Sequence, residues 1–393
     1  MRTKAIFLGL TLNLATAAAA AQDYQLVPVA EGLDFPWCVA FLPGGGLLVT
    51  ELGGTLREVS PEGVLGDPIA GVPEVYRMSQ GGLFDVLLHA DFASNQTLFL
   101  SYAAPPADDN ATEILRARLV DGALVDGEVI FSVQPRKPTP VHYGGRMAFL
   151  PDGTLLLTSG DGFDFREASQ DLGSLLGKTV RIHLDGSIPQ DNPFVGHDGA
   201  HPAIYTYGHR NAQGLAVADD GTAYLNEHGP RGGDETNRLV AGANYGWPAV
   251  TFGLDYNGAY VSPFQEAPGM ASPLDHWTPS IAPASLAIYA GDRFPEWQGD
   301  LFAGALVDEE VRRLDLEDGA VVGEEALFSE LGRRIRDVRS HDGYLYVVED
   351  GNDARIWRVE PSADPDPATP ATNRQPATEP APPEPQPSSA ASR

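Results

Sequence analysis

Apolar and polar residues in this chain show little helical spacing over any length. One phrase returns instead: a turn of Gly or Asp-Gly type, followed by alternating or continuous apolar residues. It reads FLPGGGLLVTE at 41–51, FLPDGTLLLTSGDG at 149–162, VADDGTAYLNEHG at 217–229 and RSHDGYLYVVEDG at 339–351. Such a turn between apolar runs predicts a β-hairpin. Its glycines Gly45, Gly153, Gly221 and Gly343 stand 108, 68 and 122 residues apart. Units of roughly 55 residues fit those gaps as two, one and two. Further strand-like runs at 97–103, 203–208, 285–291 and 300–307 fall between them. Many short strands at this repeat predict an all-β chain: a six-bladed β-propeller of four-stranded antiparallel blades, over residues 22–360. Two β-sandwiches are the rival architecture, but no linker divides the middle of the chain.

The two ends break the pattern. Arg2 and Lys4, a short apolar run from Ile6 to Leu14 and small residues at Ala17–Ala21 predict a secretory signal peptide over 1–21. The apolar run is too short to span a bilayer. Residues 361–393 hold ten prolines among Ala, Thr, Ser and Glu, which predicts a disordered tail. The expected location is therefore periplasmic or secreted.

Composition narrows the function. The net charge is −28, and only three of the 26 basic residues are lysines. A surface this acidic repels phosphate backbones and anionic lipid, so neither nucleic acid nor membrane is an expected partner. A cationic pocket must be built locally, from arginine. The single cysteine, Cys38, lies in the apolar run PWCVAFL and reads as a core residue.

Several polar motifs adjoin the predicted strands. Gln80 precedes a Gly pair in SQGGLFDV; it suits a planar polar ligand or a plain turn. His142, in VHYGGRMAF, sits at a strand entrance, where an imidazole can act as general base. Arg210 and Asn211 adjoin in YGHRNAQGLAV, offering a donor fork and an amide to carboxylate or quinone oxygens. NEHGPRGGDETN, at 226–237, combines carboxylates with a Gly-Pro loop that exposes carbonyls. Oxygen donors of that kind suit calcium better than zinc. Arg334 and Arg336, two apart in GRRIRDV, share a strand face and invite a polycarboxylate or phosphate. A salt-bridged face, with Asp337 or Glu330 near, is the alternative. No Walker, GxSxG or HExxH signature occurs.

From Leu26 to Glu360 these motifs, with LDFPWCVAFLPGG, GANYGWP and WTPSIAPAS, are collinear with a known set. The chain resembles the soluble, pyrroloquinoline-quinone (PQQ)-dependent glucose and aldose-sugar dehydrogenases. That resemblance implies a six-bladed propeller that oxidises aldoses at C1 to aldonolactones by hydride transfer to PQQ. It implies His142 as the base for the anomeric hydroxyl and Arg210 beside the quinone oxygens. It implies cofactor contacts from Gln80 and Asn211, with Arg334 and Arg336 at the cofactor carboxylates. Thr251 and Tyr256 fall at cofactor-side positions. Gly229 and Pro230 match the carbonyls that hold the catalytic calcium, and Glu235 and Tyr245 resemble a second, structural calcium site. The electron acceptor is not identified, and the chain is expected to be a monomer or homodimer.

The chain departs from this family at Val307, where several members carry Lys, and at Cys38, where Gly is usual. It lacks the long insertions of the glucose-specific branch, which favours the broad aldose type. Two rivals stand beside this reading: a calcium-dependent lactonase-type propeller, and a propeller kept as a non-catalytic binding module.

Overall fold

The structure, a computed structural model, describes residues 24–362. The expected signal peptide over 1–21 and all but the first two residues of the expected tail over 361–393 lie outside the described residues. The rest folds into six four-stranded antiparallel sheets. Blade 1 is Pro36–Phe41, Leu47–Glu51, Thr55–Val59 and Leu65–Pro68. Blade 2 is Leu83–Leu88, Thr97–Ala104, Ala111–Val120 and Ala123–Ser132. Blade 3 is Met147–Phe149, Leu155–Ser159, Lys178–Ile182 and Ile204–Tyr207. Blade 4 is Ala212–Val217, Ala223–Glu227, Asp234–Leu239 and Asp275–Trp277. Blade 5 is Pro283–Ile288, Leu301–Ala305, Val311–Glu317 and Ala320–Leu327. Blade 6 takes Ile335–His341, Tyr344–Glu349 and Asn352–Pro361 from the end of the chain, and borrows its outer strand, Tyr24–Asp34, from the beginning. That strand runs antiparallel to Asn352–Pro361 and pairs Tyr24 with Pro361, one residue past the predicted boundary of the tail.

The recurring phrase marks the first hairpin of blades 1, 3, 4 and 6. Blades 2 and 5 make the same step through a helical turn, at Phe92–Asn95 and Pro295–Trp297. The gaps of two, one and two units therefore count the blades correctly. The first strand of each blade lines the axis, and successive blades pack face to face. Phe99 and Ile114 of blade 2, for instance, bury against Leu155, Leu157 and Val180 of blade 3. Each such side chain contributes about 1.5–3 kcal/mol on leaving water.

The axis itself is closed by charge. Arg146 is 1% exposed and meets Asp337 at 3.2 Å and Asp85 at 3.5 Å. Arg339 pairs with the same two carboxylates at 2.9 and 3.1 Å. Two arginines and two aspartates thus balance, and the Arg146 guanidinium lies 4.1 Å from the centre of the Trp37 ring. Cys38 is fully buried beside this plug, and burial pushes its thiol well up, as a core residue requires. No helix among the described residues is long and apolar enough to cross a membrane.

Candidate functional site

All the candidate residues gather at one end of the ring. Gln80, His142, Arg210, Asn211 and Arg334 lie in loops that enter a first strand, and Gly229 and Pro230 in one that leaves a second. Arg336 and Glu235 sit near the start of strands, and Tyr245, Thr251 and Tyr256 come from the long connection between the third and fourth strands of blade 4. Two neighbouring chambers form there, of about 370 and 290 Å³, within or near the usual size of small-molecule sites.

The smaller chamber holds His142. Its residue has φ 51°, and its backbone N–H donates to Gln80 Oε1 at 2.8 Å. The ring is buried, and Nδ1 lies 2.7 Å from Asp161 Oδ1. A carboxylate there accepts a hydrogen bond from Nδ1–H, which leaves Nε2 as the basic nitrogen. Asp161 is itself fixed by the Phe163 N–H at 2.7 Å and the Trp247 indole at 2.8 Å. Burial alone would raise its pKa, but the His142 bond and the charge of Arg210 outweigh it and hold Asp161 ionised. Burial, with help from Arg210, pushes His142 below its ordinary value, so the imidazole is neutral and available as a base.

Arg210 stands between His142 and the 228–230 loop. Its Nη1 donates to the carbonyls of His228 at 3.2 Å and Gly229 at 2.6 Å, and its Nη2 to Tyr256 Oη at 3.1 Å. Tyr256 is 59% exposed and forms a wall of the His142 chamber with Phe163, their ring centres 6.1 Å apart.

The larger chamber is the cationic one. Gln80, Asn211, Arg334 and Arg336 all line it. Arg334 lies just before the inner strand of blade 6, not within it. Both guanidiniums reach Asp350, at 2.8 and 3.4 Å. The carboxylate between them is thus Asp350; Asp337 belongs to the plug. Burial acts to raise Asp350, but Arg336 and Arg334 hold it low. His228 also lines this chamber, with its Nε2 buried and unpartnered. Burial and the nearby Arg210 depress its pKa to about 3, so it is neutral.

A third, much smaller cavity joins Glu227, Glu235, Gly229, Tyr245 and Thr251. Burial and the charge of Glu227 raise the Glu235 pKa to about 8. The Tyr245 phenol is already committed, donating to the Arg238 carbonyl at 2.6 Å and accepting from the Val240 N–H at 2.9 Å. Only its main-chain carbonyl remains for a cation. Thr251 accepts the Gly253 N–H at 3.2 Å and lies in this cavity, apart from the arginine chamber.

The structure therefore brings Gln80, Asn211, Arg334 and Arg336 to one chamber, and His142, Arg210, Pro230 and Tyr256 to the next. Gly229, Glu235, Tyr245 and Thr251 meet in the third space. Sequence reasoning did not single out Asp161, Glu227, His228 or Asp350. Each sits inside a turn phrase or a quoted motif, where its partner is invisible until the blades close.

A family model described as Glucose / Sorbosone dehydrogenase matches residues 33–358. The chain belongs to this family. It is 40% identical over 370 residues to the aldose sugar dehydrogenase YliI of Escherichia coli, covering 92% of this chain and 100% of that one. A crystal structure of a glucose dehydrogenase is 42% identical with a TM-score of 0.83, covering 85% of this chain and 99% of its own. The PQQ-bound form of an aldose sugar dehydrogenase from Streptomyces coelicolor is 30% identical with a TM-score of 0.73, covering 88% of this chain and 99% of its own. The fold of the described residues is thus shared with solved glucose and aldose sugar dehydrogenases.

Proposed function

We propose that this protein is an exported, PQQ- and calcium-dependent dehydrogenase that oxidises aldoses at C1 to aldonolactones. The observation that carries the reading is the His142–Asp161 pair, set beside a chamber whose side-chain charge is a surplus of arginine. The residues fit the cofactor. A polycarboxylate quinone needs guanidiniums at its acid groups and amide donors at its edge. Arg334, Arg336, Asn211 and Gln80 supply them, and the unpartnered His228 Nε2 marks a polar group waiting for one more neighbour.

They also fit calcium through oxygen. The Pro230 carbonyl takes no hydrogen bond among the described residues, and the Gly229 carbonyl keeps a lone pair beyond the one Arg210 uses. Glu227 and Glu235, with the Tyr245 carbonyl, would hold a second ion and ionise Glu235.

When bound, PQQ supplies the two-electron hydride acceptor and calcium polarises it. The chain does the rest. His142 Nε2 takes the proton of the sugar's anomeric hydroxyl, while Asp161 fixes the tautomer and steadies the imidazolium. Arg210, locked by the His228 and Gly229 carbonyls, offers its charge where negative charge develops. Phe163, Trp247 and Tyr256 give the chamber apolar walls against which a sugar ring can stack. The floor of the axis is a neutral Arg–Asp plug, which favours this reading over a lactonase built on free carboxylates. Export rests on the residue pattern of 1–21.

The test is reconstitution. Purified apo-protein with calcium would receive PQQ, then an aldose and a dye acceptor. Stoichiometric uptake with aldose-dependent dye reduction, lost when a chelator precedes the cofactor, is the expected result. No uptake at micromolar PQQ would overturn the proposal.

A further inference from the structure

We infer that Arg77 is a third cofactor-binding arginine, one that meets a carboxylate of the bound quinone from the loop between blades 1 and 2; this rests on the PQQ reading above. Arg77 lines the same chamber as Arg334 and Arg336. It comes from the loop between blades 1 and 2, whereas Leu306 approaches from blade 5. Its Nη1 donates to the carbonyls of Ser79 at 2.8 Å and Gly81 at 3.3 Å, which ties the guanidinium to the loop that carries Gln80. Its Nε and Nη2 find no acceptor among the described residues.

The charge around it is uneven. Arg334 and Arg336 share Asp350, and Arg77 has no carboxylate within ion-pair distance among the described residues. The chamber thus holds three guanidiniums against one carboxylate. Most of the described arginines pair with a carboxylate; Arg77, with Arg210, Arg231, Arg238 and Arg293, does not. One held by two carbonyls at a chamber wall, with a donor edge unused, is arranged for an incoming anion. Val307, where several family members place a lysine, is 58% exposed next to Leu306 and brings no charge. Arg77 supplies a third cation to the chamber from the loop between blades 1 and 2.

The experiment is an equilibrium titration of apo-protein with PQQ in the presence of calcium. It is read by quenching of tryptophan fluorescence, since Trp37 and Trp247 line the two chambers. It needs no turnover. Arg77→Gln keeps a donor for the Ser79 and Gly81 carbonyls but removes the charge; Arg77→Lys keeps the charge. The Gln variant is expected to bind roughly tenfold or more weakly, and the Lys variant to recover most of that loss. The gap between wild type and Gln should narrow at high salt. A Gln variant that binds within twofold of wild type would make Arg77 a mere tie for its loop and overturn the inference alone. A wild-type protein that takes up no PQQ would overturn the cofactor reading, and this inference with it.

Discussion

At the scale of single residues, the chemistry turns on how His142 is held. Burial pulls its pKa below 6.5, while the hydrogen bond to Asp161 pulls the other way. The neutral ring is the active base, so the acid limb of kcat/KM against pH should lie lower than a free histidine would place it. Asp161→Asn removes the influence that raises the pKa. It is expected to move that limb to still lower pH and to cut kcat by about a hundredfold or more. His142→Gln should abolish turnover while PQQ titration stays near wild type; lost binding with an intact fold would instead make His142 a cofactor ligand first. His142 could be named a candidate from its loop at a strand entrance, and the base role came from the family resemblance. Asp161 was not legible, because in TSGDG an aspartate is an ordinary turn residue, and only the neighbouring loop gives it a partner.

At the scale of elements, the loops are shaped by close approach. Gly144 has φ 66°, and a Cβ there would sit 2.6 Å from the Thr158 carbonyl. A Cβ on Gly160 would strike the His142 carbonyl. The base loop and the loop that carries Asp161 therefore touch through bare backbone. Gly144→Ala is expected to cost about 1–3 kcal/mol in urea unfolding and to lower activity further by displacing His142. The Gly-run hairpin of blade 1 and the three Asp-Gly hairpins of blades 3, 4 and 6 were legible because their turn chemistry is local. The matching steps in blades 2 and 5 were not, since helical turns at Phe92–Asn95 and Pro295–Trp297 replace the phrase. Arg334 and Arg336 were recognised as a cationic pair, but the carboxylate between them was not. Asp350 follows the second strand of blade 6, and only the sheet's register sets it against residues 14 and 16 positions earlier.

At the scale of the whole molecule, the ring depends on Tyr24–Asp34. Leu33 is fully buried and Ala30 nearly so, and without this strand Asn352–Pro361 becomes an open edge. Deleting residues 24–34 is expected to abolish the cooperative thermal transition and to promote association, seen by circular dichroism and size-exclusion chromatography. Nothing local in YQLVPVAEGLD assigns it to the last blade, because its partner lies more than 300 residues away. The same pairing has a topological reading. Tyr24 and Pro361 are antiparallel neighbours, so a short turn could join them and make the backbone a closed loop. Where the polypeptide starts is then a convention of translation, not of architecture. A circular permutant that links Pro361 to Tyr24 and opens at Gly153, where a turn glycine has nothing within 4 Å of an added Cβ, should still assemble all three chambers and titrate PQQ as the parent does.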